Sequence, residues 1–459
     1  KHTAENLTAL QRLLKAGRGV EAVQLIRTVS VSSRSPRQTP TLAALSFCAK
    51  TGDAETKRAA YQALPAIARI PTHLFEFLEL CEATAKATSS GSTGWGRAHR
   101  TAIAAWYNGH KGSALAESVT KYQQRNGWSH LDALRLSHAT PVDPAHAVVF
   151  AYIVKGLDGA KAEAAAKAKA GGKAKAGGKA KAGGKAKADS KTASTEDVIC
   201  YLDAVEKAKV LTPSTEGEAK MVELIYSQCL MREHVPTELL SSVPVWTALL
   251  ERMPMTAMIR NLGKMTSIGL LTTDSEAAAT VVARLGDVDL LRKARVHPMA
   301  VLMAHRTYSA GHGDRGKLTW LPVVAVVQAL DSAFELAFAA VEPANKRTLL
   351  ALDVSGSMGV GFNGSYSGSG LTCAEASAAM AVVAMRTEPW CTAMCFSHEF
   401  VSLSLTKETS LTEAIRMTRG HRFGMTDCSL PMQYAMKNKL SVDTFIVYTD
   451  SETYYGDIH

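Results

Sequence analysis

The sequence predicts a multidomain α and α/β protein: an array of paired helices over residues 1–342 followed by a doubly wound α/β domain over residues 343–459. Three observations predict it. Apolar residues recur at helical spacing from Asn6 to about Glu342. After Pro343 the pattern changes abruptly to alternating strand-like and helix-like segments. A chain of 459 residues with 46% hydrophobic content is also longer than one core usually supports.

In the first part, Leu7, Leu10 and Leu14 and then Val20, Val23 and Ile26 mark two helices, with glycines at 17 and 19 breaking the chain between them. No convincing strand is expected before residue 342. Roughly a dozen helices joined by short turns read as antiparallel pairs, and such pairs bury their apolar faces only by stacking on their neighbours. Without an exact sequence period, this favours a degenerate HEAT-like array, with an irregular helical bundle as the alternative. The segment 159–195 breaks the array. Its run GGKAKAGGKAKAGGKAKA has nothing to pack, so a flexible Lys/Ala/Gly insert is expected there.

In the second part, the apolar run ending at Leu352, the run Cys391 to Phe396 and the run Phe445 to Thr449 read as buried strands, with helices at 374–386, 411–419 and 430–437 between them. This alternation predicts a parallel sheet. The sequence stops directly after the last of these strands, so a C-terminal portion of the domain is expected to be missing.

The formal charge of +10 would suggest a polyanionic partner, but its location matters more than its size. Ten lysines against Glu163 and Asp189 in the insert carry +8 of it, so any nucleic-acid argument rests on local clusters. The eight cysteines show no zinc-type spacing and read as reduced thiols of a cytosolic or nuclear protein; Cys391 and Cys395 read as buried packing. No stretch approaches about 20 apolar residues, so no membrane span is expected.

The sharpest motif is Asp353-Val-Ser355-Gly-Ser357, placed directly after the first buried strand, where open α/β sheets carry their ligand sites. One carboxylate and two hydroxyls are the hard oxygen donors that magnesium prefers. Thr426 and Asp427 in a later loop, and Asp450 at the end of the last strand, fall at the same sheet edge. No base or nucleophile converges there, so binding rather than turnover is expected. A second cluster lies at residues 95–138, where Arg97, Arg100, Lys111, Lys121, Arg125 and Arg135 face only Glu117 and Asp132. Trp95, Trp106, Trp128, Tyr107 and Tyr122 are interspersed with them, a mixture that suits phosphate attraction and base stacking, though helical pairs also use tryptophan as core. Lys121 and Arg125 are expected four apart on one helix, Asn126-Gly127 supplies a turn, and Ser129-x-x-Asp132 reads as a capping box. Arg135 and His138 follow on the next helix, so the two helices would present one cationic strip.

Asp353, Ser355, Ser357, Thr426 and Asp450 resemble the metal-ion-dependent adhesion site of von Willebrand A domains, which implies that these five hold Mg2+ or another divalent cation. The segments Arg69-Ile-Pro-Thr-His-Leu-Phe75, Val119-Thr-Lys-Tyr-Gln-Gln-Arg-Asn-Gly-Trp-Ser-His130, Arg135-Leu-Ser-His138 and Arg260-Asn-Leu-Gly-Lys-Met265 resemble the TROVE module of Ro ribonucleoproteins. The order of TROVE then A domain is also that of this family. The resemblance implies a monomeric ring of HEAT-like repeats closed by the A domain. It further implies Y-like small noncoding RNAs on the outer surface, 3′ ends of misfolded noncoding RNAs in a central cavity, and a role in RNA quality control without enzymatic activity. On this basis Lys121, Arg125 and His138 would contact Y RNA, and Arg260, Lys264, Arg295 and Lys317 are candidates to line the cavity. Two other readings stand beside it: a scaffold that docks protein partners through the metal, and a TROVE protein of a telomerase or vault particle.

Overall fold

The computed structural model describes residues 7–32, 35, 37–88, 94–175, 194–313, 316–359, 361, 371–419 and 426–450. The chain divides into two compact units, residues 1–236 and 237–459.

The N-terminal unit is built from helices that pack pairwise around one continuous core, in which Leu45, Leu64, Phe75, Trp106, Tyr107 and Leu202 are completely or almost completely buried. Local chemistry sets the helix ends. Gly17, with φ of 71°, separates Thr8–Lys15 from Gly19–Val31, and Pro71 opens Pro71–Ala87 at a position where its missing N–H costs nothing. Two features depart from the expectations. A two-stranded antiparallel hairpin, β1 (Gln124–Arg125) and β2 (Trp128–Ser129), interrupts the helices. The expected flexible insert at 159–195 begins as helix, since Pro144–Lys175 runs into it with one non-helical residue at Gly156. Alanine and lysine are strong helix formers, Ala160 is buried, and Lys161 pairs with Asp203 at 2.7 Å, which anchors that stretch. The remainder of the insert, 176–193, lies outside the described residues.

The C-terminal unit begins with six helices between Val243 and Leu336 and continues into a four-stranded sheet of order β5-β4-β3-β6. Its strands are β3 (Thr348–Asp353), β4 (Cys391–Phe396), β5 (Phe400–Ser402) and β6 (Thr444–Tyr448). Strand β3 is buried along its whole length and runs parallel to both β4 and β6. The expected strands and the helices Cys373–Thr387, Leu411–Arg419 and Leu430–Lys437 appear within a residue or two of their predicted limits. The sheet is mixed rather than purely parallel, because the three-residue β5 folds back antiparallel on β4. Because β3, β4 and β6 are parallel neighbours, their carboxyl ends coincide at one edge, and that edge carries the acidic motif.

Candidate RNA interface and cation centre

Residues 121–138 form a helix–hairpin–helix rather than two helices. Gly112–Lys121 ends at Lys121 because Tyr122 leaves helical geometry, with φ of −120° and ψ of 73°. The chain then enters β1, turns through Asn126 and Gly127 with φ of 54° and 78°, and returns in β2. Two successive left-handed residues are what a type I′ hairpin requires, and Asn-Gly meets that need at little steric cost. Lys121 and Arg125 therefore do not share a helix face, contrary to the expectation. Ser129 and Asp132 do form the capping box that opens His130–Ser137: Asp132 accepts from the Ser129 N–H at 3.0 Å and its own N–H donates to Ser129 Oγ at 3.3 Å.

Three contacts fix this segment, one at the surface and two in the interior. Asn126 Nδ2 donates to Glu79 Oε2 at 2.6 Å. Buried His130 lies 2.9 Å from the Tyr122 carbonyl through Nε2 and 2.8 Å from the Tyr107 hydroxyl through Nδ1. The carbonyl can only accept, so Nε2 carries the proton and Tyr107 donates to Nδ1. Burial holds the His130 pKa down at about 4, keeping the ring neutral.

The candidate cations emerge from this frame. Arg125, Arg135 and His138 are exposed and, among the described residues, enter no ion pair. His138 is the left-handed residue just beyond the second helix rather than part of it. Lys121 is half-buried, with Nζ 4.0 Å from Glu233 Oε2 and 3.3 Å from Met231 Sδ. The aromatic part of the prediction needs correction. Trp95 is buried and stacks on His99 at 4.5 Å, Trp106 donates to the Ala68 carbonyl from the core, and Tyr107 is fully buried. Only Tyr122 and Trp128 keep part of their surface in solvent. Helical pairs need bulky cores, and these rings meet that need. Sequence reading missed Met231 and Glu233, which lie 110 or more residues from Lys121 and give no local signal.

The second site sits at the carboxyl edge of the C-terminal sheet. Asp353 ends β3 and is 1% exposed. The Ser355 N–H donates to Asp353 Oδ1 at 2.8 Å, and Ser355 Oγ meets Ser357 Oγ at 3.0 Å. Ser357 Oγ in turn donates to Asp450 Oδ1 at 3.1 Å, and Thr449 Oγ1 donates to Asp353 Oδ2 at 2.7 Å. Four of the five predicted residues are thus joined. Thr426 is buried at the same edge, where the N–H of Asp427 donates to the Ser397 carbonyl just beyond β4, but no hydrogen bond among the described residues joins Thr426 to the other four. The Asp427 carboxylate is used locally, accepting from Ser429 N and Oγ. Thr449 is the residue that sequence reading did not single out.

A buried carboxylate and a second carboxylate, linked through the Ser355 N–H and two serine hydroxyls and with no ion pair to either acid among the described residues, make a cluster of hard oxygen groups. Ser357 and Asp450 are exposed, so the cluster opens to solvent on one side. Of the proposed cavity cations, Arg260 and Lys264 lie one turn apart on Met255–Ser267, Arg295 follows Val288–Lys293 in a left-handed conformation, and Lys317 lies in an exposed loop. No described contact joins these four into one surface.

A helical-repeat unit carrying an exposed cationic helix–hairpin–helix, continued into an α/β sheet with an acidic edge, defines the class of protein. Family models match it in two pieces, the TROVE domain over residues 4–307 and the Ro60 vWA domain over residues 347–459. The chain belongs to the Ro60 family. It is 34% identical to the RNA-binding protein RO60 of Caenorhabditis elegans over 100% of this chain and 75% of that protein. It is 35% identical to the RNA-binding protein RO60 of Deinococcus radiodurans over 100% of this chain and 78% of that protein. The crystal structure of the Deinococcus radiodurans RO (RSR) protein is similar throughout, with a TM-score of 0.77 and 34% identity, covering 100% of this chain and 83% of that one.

Proposed function

We propose that this chain binds RNA, and that a structured small noncoding RNA of the Y type docks on the helix–hairpin–helix at residues 121–138. The observation that carries the reading is the set of exposed basic side chains Arg125, Arg135 and His138, without an ion pair among the described residues, on a backbone that the Glu79–Asn126 and Tyr107–His130–Tyr122 contacts hold in place. A backbone that is already ordered need not be fixed on binding, and the counterions released from phosphate drive association. The names of the similar proteins support RNA as the ligand. A second RNA class, the single-stranded 3′ ends of misfolded noncoding RNAs, and a role in RNA quality control extend this reading.

Asp353, Ser355, Ser357 and Asp450 are the residues that would hold Mg2+ or another divalent cation, with Thr426 the remaining candidate. When bound, such an ion offers a positive centre that accepts a carboxylate or phosphate oxygen. Asp353 and Ser355 form the buried base of the cluster, and Ser357 and Asp450 present its exposed rim. That solvent-facing rim favours a second reading, in which a protein partner docks through the cation.

A salt titration of binding to a labelled stem–loop RNA, with and without EDTA, tests the RNA reading. Affinity should fall steeply with salt, and Arg125→Ala or Arg135→Ala should each weaken binding by about 1–2 kcal/mol, roughly 5- to 30-fold, and flatten the salt dependence. RNA binding that is flat in salt and lost with EDTA would instead place the ligand at the cation centre.

A further inference from the structure

The cations of the RNA face are not equivalent. Arg125, Arg135 and His138 are open to solvent, whereas the Lys121 side chain keeps only 21% of its surface. Its ammonium is parked 3.3 Å from Met231 Sδ, 4.0 Å from Glu233 Oε2 and 5.3 Å from the centre of the Tyr122 ring. An ammonium that has lost most of its water needs compensation, and here a thioether, a carboxylate and an aromatic face provide it.

The turn that brings these groups to Lys121 is fixed from its buried side. His234 Nδ1 accepts from the Met231 N–H at 3.1 Å, so Nε2 carries the proton and donates to Thr120 Oγ1 at 3.2 Å. The Thr120 hydroxyl donates in turn to the Ala116 carbonyl at 2.8 Å, and the Tyr201 ring stands edge-on to His234. Glu233 takes no part in this network. It is 41% exposed, beside exposed Arg232.

We propose that Glu233 is a specificity-determining residue of the RNA face, holding Lys121 in a counter-charged position that a correctly placed phosphate must displace. The inference rests on the reading of this face as an RNA site. Arg125 and Arg135 attract any polyanion. Lys121 contributes only to a ligand whose backbone reaches past Glu233 and replaces its carboxylate; for a ligand in any other register Lys121 stays neutralised by Glu233 and adds nothing.

The test uses the full chain as wild type, Glu233→Gln, Lys121→Ala, Arg125→Ala and the Glu233→Gln/Lys121→Ala double variant. The probes are a labelled stem–loop RNA and heparin, and the readouts are affinity and its salt dependence. Glu233→Gln preserves size on an exposed turn, and an unchanged thermal midpoint confirms folding. It should tighten binding of the stem–loop by about 2- to 5-fold at low salt, tighten heparin at least as much, and steepen the salt dependence. The gain should vanish when Lys121 is alanine, because the effect runs through that side chain. A gain that persists without Lys121 is a general charge effect and overturns the inference. No gain at all, while Arg125→Ala still weakens binding, overturns it and leaves the RNA reading standing; a wild-type chain with no affinity for the stem–loop removes both.

Discussion

Three histidines of the N-terminal unit, His99, His130 and His234, are each less than a tenth exposed, and burial pushes their pKa values down to about 3, 4 and 4. At His234 a proton on Nδ1 would face the Met231 N–H, donor against donor, and at His130 the Nδ1 lone pair is already used by Tyr107. An unfolded histidine takes up its proton near pH 6.5, whereas these do so only near pH 4 or below, so between those values the unfolded state binds more protons. Stability should therefore fall as pH drops from about 6.5 towards 4, by up to about 1.4 kcal/mol per pH unit for each histidine. Urea unfolding at pH 7 and pH 5, followed by tryptophan fluorescence with Trp95 stacked on His99, checks this; equal stability at both values would contradict it. At this scale the sequence reveals charge but not its surroundings. Lys121 and Arg125 read alike in the chain, yet one is parked beside Glu233 and the other is free in solvent, because the difference is made by a turn 110 residues away. The tryptophans between the cations show the same limit, since nothing local distinguishes a ring that stacks on a base from one that fills a helical core.

The hairpin β1–β2 is the element on which the proposed RNA face depends. Tyr122-Gln-Gln-Arg125 has the composition of a continuing helix, so periodicity carried the expected helix too far. The Asn126-Gly127 turn overrides that propensity by pairing Gln124 with Ser129 and Arg125 with Trp128. Gly127, at φ of 78° with open space around it, is required for its backbone conformation rather than for packing. Gly127→Ala should cost on the order of 1 kcal/mol, and Ser129→Ala about the same through loss of the capping box. Both should weaken RNA binding by misplacing Arg125 and Arg135. Urea titrations read the stability terms, and an unchanged midpoint in both variants would show that the segment is not held as described. The sheet was more legible: the fully buried β3 produces a continuous apolar run, and its end placed Asp353, Ser355 and Ser357 correctly. The short β5 went unseen because three residues, two of them exposed, leave no hydrophobic pattern.

At the scale of the whole molecule, two kinds of side-chain cluster lie in two compact units: the exposed basic groups proposed to meet RNA in the first, and the hard oxygen groups proposed to hold a divalent ion in the second. The formal charge of +10 was a poor guide to this division, since most of it lies in the lysine-rich insert. If the acidic edge holds a cation, magnesium should stabilise the protein by linkage, by about 2.7 kcal/mol at a hundredfold excess over its dissociation constant. Thermal denaturation with magnesium and with EDTA should then differ for the wild type and coincide for Asp353→Asn, while that variant keeps its RNA affinity; identical curves for the wild type would rule the site out as a magnesium centre. The central claim concerns where the RNA lies, and photo-crosslinking of a stem–loop RNA to the full chain, with the modified peptides identified by mass spectrometry, tests it most directly. Crosslinks concentrated on peptides that include Tyr122, Trp128 and His138 are the predicted result, and crosslinks that spare residues 121–138 altogether would contradict it.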